Sequence, residues 1–251
     1  MSDLVSIIMP VYNVEKYIKN TILCIQKQTY ENWELIMVDD NSSDSSCKII
    51  QQFIDNDSRI KLIKSKENRG AAVSRNIGIK QAKGRYLSFL DSDDLWKENK
   101  LTKQLEFMEK NGYSFTFTSY QLVNEDGTLM NKVVHVPTTI DYKKALANHI
   151  ISIITVIIDR EKIPEVIMPD IRHGQDTAAW LKILKDGQTA YGFDEVLSFY
   201  RQVPTSISSS PLRRVTRTWD IYRKAEKFNI LKSAYLTILH FIYVINKRKE
   251  A

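Results

Sequence analysis

The first apolar run is short and unbroken, Val5-Ser6-Ile7-Ile8-Met9, and Pro10 follows it. A run of that length without polar alternation predicts a buried strand stopped by the proline. From Glu15 to Lys27 the period changes, and Ile18, Ile22 and Ile25 fall on one face of a predicted helix. The two periods then alternate. Trp33 to Val38 predicts a strand ending in Asp39-Asp40, and Asn41-Ser42-Ser43-Asp44 supplies helix-start chemistry for a helix through Ile54. Ile60 to Ile63 predicts a third strand, Gly70 to Ala82 a helix, and Tyr86 to Leu90 a fourth strand. This succession predicts an α/β fold, a parallel sheet with helices on both faces. Ligands in such sheets bind beyond the carboxyl ends of the strands. Three of those ends carry polar clusters: Tyr12-Asn13, Asp39-Asp40 and Asp91-Ser92-Asp93-Asp94.

After a predicted helix from Asn99 to Asn111 the pattern loosens. Ser114 to Tyr120 and Ile151 to Ile158 read as strands, with a turn at Asn124-Glu125-Asp126-Gly127 between them. Gln175 to Lys185 has helical spacing, and Val196 to Tyr200 reads as a late strand. Ser206-Ile207-Ser208-Ser209-Ser210-Pro211 is the best linker, and two helices follow it, near Val215–Lys227 and Ile230–Lys247. The expected organisation is a body over 1–211, with halves 1–110 and 111–211, and a helical extension over 212–251.

Composition narrows the classes. With 8 glycines and 6 prolines in 251 residues the chain is neither fibrous nor disordered. Cys24 and Cys47 are the two cysteines, both in predicted helices, so neither a disulfide framework nor a zinc site is expected. No apolar run approaches the roughly 20 residues that span a bilayer. No basic leader precedes an apolar stretch at the start, so the expected setting is cytoplasmic. Net charge is +6, and it is unevenly placed. From Leu212 onward there are ten basic and three acidic side chains, so a nearly neutral body carries a cationic tail suited to an anionic surface.

The acidic clusters carry the candidate chemistry. Three carboxylates within Asp91-Ser92-Asp93-Asp94 repel one another unless a cation sits among them. Hard oxygen ligands of that kind suit Mg2+ or Mn2+, completed by substrate phosphates. The alternative is a solvated turn capping a helix after Leu95. Asp39-Asp40 can accept hydrogen bonds from a nucleobase or a ribose, or can cap the next helix. Asn68-Arg69-Gly70 and Arg75-Asn76 place cations and a helix N-terminus where a diphosphate could lie, although Arg75 could equally be a surface residue. Of the histidines, only His173 is placed to touch the site; His135, His149 and His240 show no ligand spacing.

Val5 to Asn13, then Asp39 to Asp44, then Asn68-Arg69-Gly70 with Ala72, Arg75 and Asn76, then Phe89 to Asp94 occur in that order. The succession resembles the family-2 glycosyltransferases of GT-A fold, of the type that builds bacterial surface polysaccharides. The resemblance covers residues 4–110 closely and thins toward Ser208. It implies a Rossmann-like mixed sheet flanked by helices, with 1–110 binding a nucleotide sugar and 111–211 receiving the acceptor. It implies that Pro10, Val11, Tyr12 and Asn13 lie along the nucleotide of a UDP-sugar and that Asp40 holds the uracil. Asn68, Gly70, Arg75 and Ser92 belong to the same donor site. Asp91 and Asp93 become the DxD that holds Mn2+ or Mg2+ at the diphosphate, with Asp94 as an additional contact. Asp176 matches the position of the catalytic base, although Gln175 stands where the family usually has Glu. Tyr200-Arg201 with Ser206-Ile207-Ser208 is similar to the family's closing element, from which Arg201 could reach the diphosphate. A general base opposite a metal-stabilised leaving group implies one in-line displacement with inversion.

The tail fits that resemblance in a further way. Ala234 to Ile245 is apolar and bracketed by Lys232 and by Lys247-Arg248-Lys249, a pattern that predicts an interfacial helix over 230–249 on an anionic leaflet. Packing on the body or in a dimer is the alternative. The expected acceptor is a glycan or a lipid-linked oligosaccharide, and the expected location is the inner face of the cell membrane. A nucleotidyltransferase would carry a Gly-rich basic loop after the first strand, which Pro10-Val11-Tyr12-Asn13 lacks. A nucleic-acid-binding role is disfavoured by the apolar tail and the lack of a recognisable module.

Overall fold

In the computed structural model, which describes residues 3–171, 173–203 and 211–249 and, within the last span, leaves the side chains of 211–214, 243 and 245–249 undescribed, the first strand runs through Pro10. Strand β1 is Val5–Val11. It pairs in parallel with β2 (Trp33–Asp39) along its whole length, and with β4 (Tyr86–Phe89) only as far as Ile8 opposite Phe89. The Ile8 carbonyl accepts from Leu90 N at 3.1 Å, so the peptide groups of Ile8 and Pro10 face the β4 side. There β4 has already ended, and the missing proline N–H forfeits no ladder bond.

The expected helices α1 (Ile18–Gln26), α2 (Ser46–Ile54) and α3 (Ala71–Gln81) and the strand β3 (Ile60–Lys64) complete the first half. All seven residues of β2 are buried, as a strand covered on both faces requires. Helix α3 lies against β1 and β2, and Gly78 permits this approach. A Cβ at Gly78 would stand 2.7 Å from the Ile8 side chain.

Two short elements follow, β5 (Leu95–Trp96) and α4 (Lys100–Asn111). The acidic turn therefore leads into a strand and caps no helix. Next come β6 (Phe115–Val123), β7 (Leu129–Val134), β8 (Thr139–Ile140) and α5 (Tyr142–Ala147). The strand expected over Ile151–Ile158 is different: a 3-10 turn at Ile153–Thr155 leads to a three-residue strand, β9 (Ile157–Asp159). Six apolar residues between Ile151 and Ile158 are buried, and a continuously buried run carries no period to tell a turn from a strand. Helix α6 (Gln175–Lys185) is as expected, whereas β10 runs over Ala190–Arg201, longer than the expected Val196–Tyr200. Register shifts between Phe193 and Val196 and between Val196 and Ser198 break its alternation.

The sheet order is β3-β2-β1-β4-β9-β6-β10-β5, with β7 beside β6 and β8 beside β10. Its first four strands are parallel; β9 runs antiparallel to both β4 and β6, and β10 is parallel to β6. The sheet is thus mixed, the α/β architecture the resemblance implies. Helix α7 (Pro211–Asp220), a π-helical turn (Ile221–Ala225) and α8 (Ile230–Lys249) close the chain. Ile221, Tyr222 and Leu236 of this last part join one core cluster with Val5 and Leu35. Ser206–Ser210, where the linker and the Ser206-Ile207-Ser208 element fall, lie outside the described residues.

Candidate active site

The loops after β1 and β2 are clasped to each other. Asn13, with a left-handed φ of 49°, accepts from Ser43 N at 2.9 Å through its side chain, and its own N–H donates to Ser42 Oγ at 3.1 Å. One Asp44 oxygen accepts from Glu15 N and the other from Ser46 N, each at 2.9 Å. The polar run Asn41 to Ser46 thus satisfies backbone donors at the starts of both α1 and α2. Tyr12 follows β1 at this clasp and is 51% exposed.

Asp39 and Asp40 do not cap α2. Asp39 accepts from Ser42 N, while the two Asp40 oxygens accept from Arg69 N at 2.9 Å and Gly70 N at 2.7 Å. Asp40 thereby fixes the turn that opens α3, and a carboxylate with about four acceptor sites retains two. Asn68 and Arg69 are exposed on that turn. Arg75, one turn into α3, is not a surface residue. It is 6% exposed, and its guanidinium donates to Asp91 at 2.5 Å.

The turn after β4 is held from three sides. The Thr21 hydroxyl lies 3.0 Å from the Ser92 carbonyl and 3.1 Å from that of Asp94. Asp94, buried, accepts from Arg201 N at 2.7 Å. Burial, with Asp93 and Asp91 nearby, pushes the Asp94 carboxyl well above the usual range. Burial and the Asp91 charge push Asp93 up to about 6, against the pull of Arg201 and Arg75. Arg75 pairs with Asp91, and the remaining shortage of positive charge falls on Asp93. Two carboxylates of that kind fit Mg2+ or Mn2+, which complete their shell with water and phosphate oxygens. Among the described residues no group of three or more His, Cys, Asp or Glu side chains forms a metal cage. Arg201 turns its guanidinium onto backbone: Nε donates to the Asp93 carbonyl at 2.6 Å and Nη1 to that of Glu125 at 2.7 Å. It ties the acidic turn to the Asn124–Gly127 loop and lines a cavity of about 400 Å³ with Lys16, Tyr17, Asn20, Glu125 and Asp126.

Asp176 lies in the first turn of α6, where the helix dipole favours a carboxylate. Gly174 before it has φ 76°, and a Cβ there would meet Ile221 at 2.7 Å. His173 stands half-buried beside it. Asp176 is held from the C-terminal extension: Arg217 Nη2 donates to its two oxygens at 3.1 and 3.4 Å and to Thr177 Oγ1 at 3.1 Å. Three features join this region to the strand ends. Trp180 of α6 packs edge-on against Phe89 at 5.8 Å between ring centroids. The Asn76 amide accepts from Met168 N and donates to Met168 O, fixing the segment that leads into α6. Tyr120 of β6 is pushed up to about 12 by burial, Tyr200 and Asp94, with Arg217 opposing. The charges of Asp94, in the acidic turn, and of Arg217 thus both reach one half-buried phenol. Sequence reasoning missed both Tyr120 and Arg217. Neither lies in a local motif, and the only signal for Arg217 was the cationic tail.

A family model described as Glycosyl transferase family 2 matches residues 6–164. The TuaG protein of Bacillus subtilis (strain 168), a glycosyltransferase provisionally named for teichuronic acid biosynthesis, is 44% identical over 98% of this chain and 97% of its own. WfgD of Escherichia coli, named a UDP-Glc:alpha-D-GlcNAc-diphosphoundecaprenol beta-1,3-glucosyltransferase, is 40% identical over 99% of this chain and 95% of its own. Among solved structures, S. aureus TarS 1-349 in complex with UDP-GlcNAc superposes with a TM-score of 0.72 at 20% identity, covering 94% of this chain and 71% of that one. The mannosyltransferase PcManGT from Pyrobaculum calidifontis, in complex with GDP-Man and Mn2+, gives 0.73 at 20% identity, covering 94% and 70%.

Proposed function

The chain belongs to glycosyl transferase family 2 and has the GT-A fold, and from that premise we propose that it moves a sugar from a UDP-sugar to a hydroxyl of a lipid-linked glycan, with inversion, in the synthesis of a bacterial surface polysaccharide. One observation carries this reading: Trp180, on the helix that carries Asp176, packs at 5.8 Å between ring centroids against Phe89, the last residue of the strand that leads into the acidic turn at Asp91–Asp94. Leaving-group chemistry and base chemistry thus have adjacent supports.

In this mechanism Pro10, Val11, Tyr12 and Asn13 line the nucleoside, and Asp40 offers its remaining acceptor sites to the uracil N–H. Asn68, Gly70 and the α3 N-terminus face the diphosphate, with Ser92 and Arg75 beside it. Asp91 and Asp93 would hold a divalent cation, Mn2+ or Mg2+, which would supply charge neutralisation for the departing UDP. Asp176 takes the proton of the acceptor hydroxyl as the new C–O bond forms and the bond from C1 to the diphosphate breaks. Arg217 orients that carboxylate, with acceptor capacity left on each oxygen. Attack from the face opposite UDP inverts the anomeric centre.

The donor and acceptor printed in the WfgD name support a UDP-sugar and a diphospholipid acceptor here. That lipid-linked acceptor also supports a peripheral place for the enzyme on the inner face of the membrane; among the described residues no helix is long and apolar enough to cross a membrane. The test is a screen of UDP-glucose, UDP-galactose, UDP-N-acetylglucosamine and UDP-glucuronate for UDP release. It uses Mn2+ and a synthetic N-acetylglucosaminyl diphospholipid acceptor. One donor should turn over, and Asp93→Asn and Asp176→Asn should each lose on the order of 10²–10⁴-fold in kcat, with donor binding kept in Asp176→Asn. Full turnover by either variant would contradict the assignment.

A further inference from the structure

Helix α8 has two faces of opposite character. Ser233, Leu236 and Thr237 are buried, and His240 Nδ1 donates to the Ala147 carbonyl at 3.0 Å while its ring stacks on His149 at 4.3 Å. That face is packed against α5 and the π-helical turn. On the other side Leu231 is 83% exposed, Tyr235 62%, Ile238 60% and Ile242 49%. Their spacing of four, three and four residues aligns them in one stripe along the helix. Packing on the body therefore accounts for only half of the apolar tail. A stripe of large apolar side chains on a folded helix is a contact surface without its partner.

We propose that this stripe is the membrane-docking face of the protein and that its partner is an anionic lipid surface. Charge supports that occupant. Residues 230–249 contain Lys232, Lys247, Arg248 and Lys249 and no acidic residue, so a leaflet rich in anionic headgroups complements the helix along its length. A second copy of the chain would fit poorly, because two-fold apposition brings the two sets of cations together with no carboxylate on the helix to pair them. Tyr235 in the middle of the stripe suits the bilayer interface, where an apolar ring and a wet hydroxyl are both accommodated.

The face is tied to the chemistry. Helix α8 follows the π-helical turn, whose Ile221 and Tyr222 are buried, and that turn continues α7, from which Arg217 reaches Asp176. The lipid-facing stripe and the residue that orients the base thus belong to one packed helical unit. Docking through the stripe fixes how the base is presented to an acceptor rising from the same leaflet. This last step rests on the reading of the acceptor as lipid-linked; the docking face itself rests on the exposure and charge of α8.

The test is co-sedimentation of the full chain with vesicles of phosphatidylcholine alone and of an equal mixture with phosphatidylglycerol. Wild type should bind the mixed vesicles, and Leu231→Gln/Tyr235→Gln/Ile238→Gln/Ile242→Gln should bind at least about tenfold less tightly with an unchanged thermal melt. Lys232→Gln should weaken binding to the mixed vesicles only. If the fourfold variant fails to fold, the pair Leu231→Gln/Ile238→Gln carries the same comparison. Equal binding by wild type and variant, or no binding by wild type, would overturn the proposal. So would loss of self-association in the variant without loss of vesicle binding. Sugar transfer in detergent to a short-chain acceptor is measured in parallel. Its absence in wild type would strike the proposed reaction and leave a positive vesicle result standing, while normal transfer without vesicle binding would strike the docking face alone.

Discussion

Residues 5–94 build four parallel strands whose candidate site residues sit at the ends of β1, β2 and β4 and, after β3, on the turn into α3 and on α3 itself, whereas those of residues 115–225 come from elements distant in sequence. In the first region Asn13 meets Ser43 and Asp40 meets Gly70, contacts between neighbouring strand ends that any parallel βαβ order brings together. In the second, Asp176 is held by Arg217 on a helix 41 residues away, and the Arg201 backbone reaches back 107 residues to Asp94. The difference teaches that the proposed donor site is built from motifs, while the proposed apparatus around the acceptor is built from packing. Substitutions in the two regions should therefore fail in different ways.

The largest effect expected beyond loss of the base itself is at Arg217. Arg217→Gln leaves Asp176 without its guanidinium, and kcat should fall roughly 10–100-fold while the donor KM stays within about twofold. Arg217→Lys should recover part of that loss. On the other side of the comparison, Asp40→Asn removes an ionised acceptor from the Arg69–Gly70 turn and from the proposed uracil site. Donor binding, measured by calorimetry with UDP and Mn2+, should weaken about tenfold with kcat little changed. If Arg217→Gln raised the donor KM and spared kcat, the division between the two regions would break.

The smallest effect lies on the donor half, away from the site. Side-chain hydrogen bonds from Arg59 bring Asp57 down to about 2, although Arg59 is itself well exposed. A folded-state value below the unfolded one stabilises above about pH 4, and the contribution is lost as pH falls through about 2. Asp57→Asn should cost at most about 1 kcal/mol at neutral pH, and its urea midpoint should converge with that of wild type near pH 2. Activity should not change.

Legibility in the sequence divides along the same line. The alternation of buried runs with helix-period segments located β1 to β4 and α1 to α3 within a few residues, because β1, β2 and β4 are covered on both faces and each helix on one. Pro10 misled at one end only, since its missing donor faces the side where β4 has stopped. The second half hid its elements for physical reasons. Buried runs such as Ile151–Ile158 have no period, and the bulges of β10 shift its alternation. The exposed strand β7 carries no apolar face to announce it. Asp91, Asp93 and Asp176 were legible as chemistry, and so was the cation at Arg75, although its burial was not. Arg217 was not legible, because what makes it matter is the packing of Ile221 against Gly174 rather than anything beside it in the chain.

The anomeric configuration of the product tests the central claim most directly, because a carboxylate that takes the acceptor proton opposite the departing diphosphate permits a single displacement. Proton NMR of the transferred sugar should show the configuration opposite to that of the donor. Retention would contradict the role given to Asp176 and the arrangement of the two regions around it.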